Sequence, residues 1–242
     1  MRKALSLAAL VVIVAFATAA CGSNSGDVAA PDVRGLTTAD VYERVAQAVS
    51  RPGEVYYAEI DVDVDGGGYF SYQGLQQRWV YGSGGLAREV WRADSAGDGA
   101  IEREDKITVG EEEFQISELD DGVGKSPATQ CRGISAAVST MFLCPYRPAE
   151  DVATIEGGAF DGKPAIVLVS SAESEGNDET FVYNLRFYLD AESYLPLTLE
   201  MEGVANDEIP LDGNWLYRNE FVPLDSLPND HFDPGVIGYV EG

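Results

Sequence analysis

Residues 181 to 201 read FVYNLRFYLDAESYLPLTLEM, and their spacing shows two strands and the turn between them. Phe181, Tyr183, Leu185, Phe187 and Leu189 alternate with Val182, Asn184, Arg186, Tyr188 and Asp190. After a turn at Ala191 to Ser193 the alternation resumes at Leu195, Leu197, Leu199 and Met201. Successive side chains of a strand point to opposite faces, so each strand has one apolar face and a hairpin joins the two.

The same period runs upstream. Tyr56, Ala58, Ile60, Val62 and Val64 alternate with Tyr57, Glu59, Asp61, Asp63 and Asp65, and Gly66 to Gly68 supply a turn. Asp61, Asp63 and Asp65 before a glycine also resemble the opening of a calcium loop. Such a loop needs a bidentate acid at its twelfth position, which is Tyr72, and flanking helices where these residues are strand-like. The acids are therefore read as facing solvent and the valines as facing a core, with no metal site.

Leu75 to Tyr81 and Leu86 to Ala93 continue the β pattern, with Trp79 and Trp91 as their large apolar groups. Ile107 to Val109, Phe114 to Ile116 and Val152 to Glu156 are shorter strands. The unbroken apolar run in GKPAIVLVSS, residues 162 to 171, predicts burial on both faces. A last strand carries Trp215, Tyr217 and Phe221, its apolar face interrupted by Asn219, and PLDSLPNDHFDP closes the chain as turns. Two segments have helical spacing instead. Thr37 and Asp40 form a capping box ahead of Val41, Val45, Ala46 and Val49, and Pro52 and Gly53 stop that helix. Ile134, Ala137, Val138, Met141 and Phe142 share one helical face within residues 132 to 143, which Pro145 ends.

The N-terminus has the build of an export signal over residues 1–20, with Arg2 and Lys3 before an apolar stretch from Ala4 to Ala17. That stretch is shorter than the roughly 20 residues a spanning helix needs. Thr18-Ala19-Ala20-Cys21 resembles the lipobox of bacterial lipoproteins, in which the cysteine is lipidated and becomes the first mature residue. Thr18 departs from the usual aliphatic residue, and Ala17-Thr18-Ala19 also fits an ordinary A-x-A cleavage site. The chain has 3 cysteines. Using Cys21 for lipid leaves Cys131 and Cys144, either as a disulfide or as two buried thiols. Residues 21–36 read as a lipidated start and a polar, proline-containing tether, with an end-to-end distance of roughly 20 Å. Residues 37–242 read as one domain.

Losing two basic residues with the signal leaves 14 against 41 acids, a mature charge of −27. A field of that sign repels nucleic acids and anionic bilayers, so neither is an expected electrostatic partner. Membrane attachment falls to the acyl anchor. The expected location is outside the cell, on the outer face of the bacterial cytoplasmic membrane.

The order of elements, from lipobox and tether through CPYRPAEDV (144 to 152), FDGKPAIVLV (160 to 169), LRFYLDAESYLPLTLEMEG (185 to 203) and NEFVPLDSLPNDHFDP (219 to 234), resembles the LolA/LolB-like superfamily, including lipoproteins related to LppX and LprG. The resemblance covers about residues 36–239. It implies an α+β, mainly antiparallel fold, a curved unclosed β-barrel with helices plugging its concave face. It also implies a hydrophobic ligand, a lipid or acyl chains, carried or presented in that concavity. A branch that includes RseB and MucB instead senses envelope stress by binding a protein partner. On such a half-barrel the expected lining is Ile60, Val62, Val64, Trp79, Phe181, Leu185, Phe187, Leu197 and Leu199. An ordinary packed core has the same alternation.

Catalytic motifs are missing from the sequence. The single histidine, His231, lies between acids in PNDHFDP and reads as a solvated turn residue. Cys131 and Cys144 have neither redox nor zinc spacing, and no G-x-S-x-G, H-E-x-x-H or phosphate-cradling loop occurs. The chain is accordingly read as a binding protein, not an enzyme, with no cofactor. Lys106, Lys125 and Lys163 are the lysines left after the signal, and Arg78, Arg88 and Arg92 are the candidate cations for an anionic headgroup.

Overall fold

The computed structural model describes residues 28–65, 71–94, 102–117, 123–128, 135–140, 154–176, 179–205 and 209–240. A helix α1 (Thr38–Val49) precedes the strands β1 (Glu54–Asp65), β2 (Ser71–Tyr81), β3 (Leu86–Asp94), β4 (Glu102–Val109), β5 (Glu112–Ser117) and β6 (Gly124–Pro127). A short helix α2 (Ala136–Ser139) follows. Then come β7 (Thr154–Phe160), β8 (Lys163–Gly176), β9 (Glu179–Asp190), β10 (Pro196–Ala205) and β11 (Ile209–Pro223), and a closing segment of turns and 3-10 helix. All strands join one 11-stranded sheet in the order β6-β5-β4-β3-β2-β1-β11-β10-β9-β8-β7. Every pairing is antiparallel, and among the described residues β6 and β7 are edges paired on one side only, so the sheet is an open half-barrel.

Local chemistry sets these elements. The capping box is present at α1: Thr37 Oγ1 accepts from Asp40 N at 3.1 Å and Asp40 Oδ2 accepts from Thr37 N at 2.8 Å. Val41, Val45 and Val49 form its fully buried stripe. Helix α2 is shorter than the segment expected to be helical. Ser135 caps it, and the rest of residues 132 to 143 lie outside the described residues. The turn between β9 and β10 is built on Asp190, whose Oδ1 accepts from Glu192 N at 3.1 Å, Ser193 N at 2.8 Å and Ser193 Oγ at 2.8 Å. Tyr194 completes it at φ 59, a left-handed conformation costly for a side chain of this size.

Directly opposed residues of paired strands share a face, so the register divides the sheet into two surfaces. The inner face is the one both helices pack on. It carries Tyr56, Ala58, Ile60, Val62 and Val64 from β1, Leu199 from β10, Leu185, Phe187 and Leu189 from β9, and Ile166 and Leu168 from β8. All are buried in one cluster with Val41, Val45, Val49, Ala137 and Val138. Within the run that predicted burial on both faces, Ala165, Ile166, Val167 and Leu168 are all buried. Part of the expected tether also packs here, since Val33 and Leu36 touch the cluster. Gly157 on β7 accommodates that segment, because a side chain there would collide with the Pro31 carbonyl oxygen.

Candidate functional site

From β7 to β1 the inner face is apolar. Phe187 stands opposite Leu199 and Leu168, Leu199 opposite Trp215, and Trp215 opposite Val62. Toward Val64 the helices leave large apolar groups only half-buried, namely Tyr183, Met201 and Trp215. The Trp215 ring folds over Gly213. A Cβ at that position would stand 3.0 Å from Trp215 Cζ3 and 3.1 Å from Met201 Cε, so the glycine makes room for both side chains.

Of the nine expected lining residues, Ile60, Val62, Val64, Leu185, Phe187 and Leu199 belong to this one cluster. Leu197 lies at the register shift between Pro196 and Thr198 and is half-buried. Phe181 holds a position on β9 opposite Ala205 and Ser174. Trp79 does not join them, and the expectation for it is corrected. It stands opposite Tyr57, on the outer face, with ring centroids 5.1 Å apart. The tryptophan on the inner face of this wing is Trp91, opposite Gln76, which in turn is opposite Ile60. Each tryptophan has an arginine on one side and a valine on the other, so only the strand register distinguishes them.

Beyond β1 the inner face becomes mixed: Val80, Ala87 and Trp91 still belong to the apolar cluster, and polar groups stand beside them. Gln76, Arg78 and Glu89 are followed on β4 and β5 by Glu104, Lys106, Glu113 and Gln115. Arg78 is buried and donates to Glu89 Oε2, Nε at 2.8 Å and Nη2 at 2.7 Å. Burial works against the Arg78 charge, but Glu89 and Tyr217 outweigh it and hold the guanidinium above its ordinary value. Nearby Tyr56 donates to Asn219 Oδ1 at 2.6 Å, and Asn219 Nδ2 donates to the Pro196 carbonyl at 2.6 Å. Burial, followed by the Tyr217 charge, pushes the Tyr56 hydroxyl well above the usual tyrosine range, so it stays a donor. Asn219, which interrupts the apolar pattern of β11, is the link in this network.

The other candidate cations and the lysines are dispersed. Arg88 and Arg92 lie on the outer face, Arg88 bonded to Asp105 at 3.1 and 2.7 Å and Arg92 exposed. Lys106 lies 3.8 Å from both Glu104 and Glu113, Lys125 pairs with Glu112 at 2.8 Å, and Lys163 is exposed. On β1 the acids face outward. Glu59 and Asp61 both pair with Arg218, and Asp63 accepts from Gln73 Nε2 at 3.1 Å. No group of three or more metal-ligating side chains occurs among the described residues. Cys21, Cys131 and Cys144 lie outside them.

The outer face of the β2–β5 wing carries Trp79, Ile107 and Phe114 as apolar residues. The closing segment covers them: Ile237 packs on Ile107 and Phe114, the Tyr239 ring lies 4.7 Å from that of Phe114, and the His231 ring 4.9 Å from that of Trp79. His231 is thus 9% exposed, which corrects its reading as a solvated turn residue. A groove of about 780 Å³ opens beside this segment, between Tyr81, Leu86, Leu227 and Phe232, and contains none of the nine expected lining residues.

No family model and no curated protein matches the chain. Among solved structures the chain is similar to a LolA superfamily protein from Nitrosomonas europaea, at 9% identity and a TM-score of 0.36, over 81% of this chain and 97% of that one. It is also similar to a putative outer membrane lipoprotein-sorting protein domain from Vibrio parahaemolyticus, at 10% identity and a TM-score of 0.39, over 82% of this chain and 97% of that one.

Proposed function

We propose that the chain is a cell-envelope lipoprotein that binds a hydrophobic ligand, a lipid or its acyl chains, on the inner face of the half-barrel and transports or presents it. One observation carries this reading. The inner face is apolar from β7 to β1, and the helices above it leave Tyr183, Met201 and Trp215 half-buried. Large apolar side chains left partly uncovered on a concave surface suit a flexible hydrocarbon chain. An amphiphile has a natural orientation there, with its tail over β8 to β1 and its head toward the polar residues of β3 to β5. Because Arg78 is already matched by Glu89, the polar wing offers paired charges and amides to the head, not a bare cation.

In this proposal residues 1–20 are removed on export and Cys21 carries the lipid that anchors the protein to the membrane. Cys131 and Cys144 form its disulfide, and no catalytic role is assigned. Uptake of a fluorescent fatty acid by the purified protein tests the binding site. Saturable uptake by the native protein that is lost in Val62→Trp, with the fold retained by circular dichroism, supports it. Absence of uptake, or equal uptake by the variant, contradicts it.

A further inference from the structure

We propose that residues 224–240 form an acid-released strap over the outer face of the β2–β5 wing, with His231 as its trigger. Among the described residues the strap is held by hydrogen bonds to the sheet side, by apolar cover and by Lys125 over the Tyr239 ring at 5.9 Å. Leu224 N donates to the Gly53 carbonyl at 2.9 Å, Arg88 Nη1 to the His231 carbonyl at 3.3 Å, and Ile237 and Tyr239 cover Ile107 and Phe114. His231 is the centre of this arrangement. Its ring meets Trp79 edge-on at 4.9 Å and Phe232 at 4.9 Å, and its Nε2 is buried with no hydrogen-bond partner among the described residues.

A neutral imidazole can occupy such a place as an aromatic ring. The imidazolium cannot do so at low cost, because both of its nitrogens become donors and Nε2 has no acceptor. The charged groups around it do not compensate. Arg88 on β3 is a like charge, and its partner Asp105 on β4 is already engaged by two bonds from Arg88 and one from Arg103 at 3.2 Å. Asp230 on the strap itself is exposed, and β2 contributes the uncharged Trp79. Burial, then Arg88, depresses the imidazole below its ordinary value, while Asp105 and Asp230 pull weakly the other way. The sign follows from that direction. Stability from the seated strap is present while the imidazole is neutral and is lost as pH falls below the ordinary histidine range, because the released state binds the proton more tightly. An exported domain meets such pH changes directly. The inference is independent of lipid binding, since the strap lies on the opposite face.

Hydrogen exchange measured by mass spectrometry on the full chain in detergent, corrected for intrinsic exchange, tests it. Peptides within residues 224–240 are expected to exchange about tenfold or more faster at about pH 5 than at about pH 7.5, while β1 and β11 stay protected. His231→Phe keeps the ring contacts without the proton, and its strap peptides are expected to change less than about twofold over the same interval. Should the phenylalanine variant fail to fold, His231→Gln is used with the same expectation. Strap peptides equally protected at both pH values in the native chain overturn the proposal. So does acid release in the substituted chain equal to that of the native one, which assigns the response to the carboxylates. Lipid uptake unchanged by His231→Phe is expected whether or not the inner face holds lipid, so the two readings fail separately.

Discussion

Asn219 shows how much one polar residue can matter in an apolar face. Between Tyr217 and Phe221 it breaks the pattern of β11, yet it joins the Tyr56 hydroxyl to the Pro196 carbonyl across three strands. Asn219→Leu keeps the branched shape and leaves a buried donor and acceptor unpaired, which costs about 1–3 kcal/mol for each group left unsatisfied. A lowered urea midpoint with unchanged slope is the expected result. Arg78 and Glu89 follow the logic of buried pairs. Glu89→Gln leaves the guanidinium buried without its counter-charge, and a loss of about 3–5 kcal/mol is expected. The double change Arg78→Met, Glu89→Leu removes both charges and is expected to recover most of that loss in the same denaturation assay. Asp190 gives a pH-dependent case. Burial raises its carboxyl, but hydrogen bonds from Ser193 and Glu192 outweigh burial and hold it below the ordinary value. Its contribution is therefore present above the unfolded carboxylate range and lost as pH falls through the lower, folded value. Asp190→Asn is expected to flatten that part of the stability-against-pH curve, measured as the denaturant midpoint between about pH 5 and about pH 2.5.

At the scale of elements, much of the fold was legible in the sequence because each segment states its own period. Tyr56 to Asp65, Tyr183 to Leu189 and Leu199 to Met201 lie in strands with the expected faces, while the register shift at Pro196 to Thr198 breaks the expected alternation at Leu197, and Thr37 with Asp40 starts α1. The missing information is relational. Trp79 and Trp91 look alike along the chain, and only the pairing of β2 with β1 and β3 sets one outward and the other inward. The burial of His231 is relational too, since a turn residue is solvated unless another element lies beneath it, and here Trp79 does. The same holds for Val33 and Leu36, which compositional reading assigns to the tether. Thr37→Ala tests the helix start: loss of its cap is expected to cost about 1 kcal/mol, read as a lower thermal midpoint, and with it some of the cover over the inner face.

For the whole molecule, one sheet carries two apolar surfaces on opposite sides. Helix α1 and the short helix α2 pack on the inner one, α2 against β2 to β4, and the closing segment covers the outer one on β2 to β5. This division leaves room for polar groups on the inner face of the β2–β5 wing, so one concave surface runs from hydrocarbon to charge, as an amphiphile does. In the proposed arrangement attachment and binding are separable. Cys21→Ser is expected to move the protein from the membrane fraction to the soluble one, assayed by fractionation and immunoblot, while leaving fatty-acid uptake by the purified chain unchanged. The most direct measurement of the central claim is organic extraction and mass spectrometry of the protein purified from its native envelope, beside Val62→Trp purified in the same way. The account predicts a lipid or fatty acyl species at near one-to-one occupancy in the native protein and its loss in the variant. A native protein that is folded and free of lipid would contradict it.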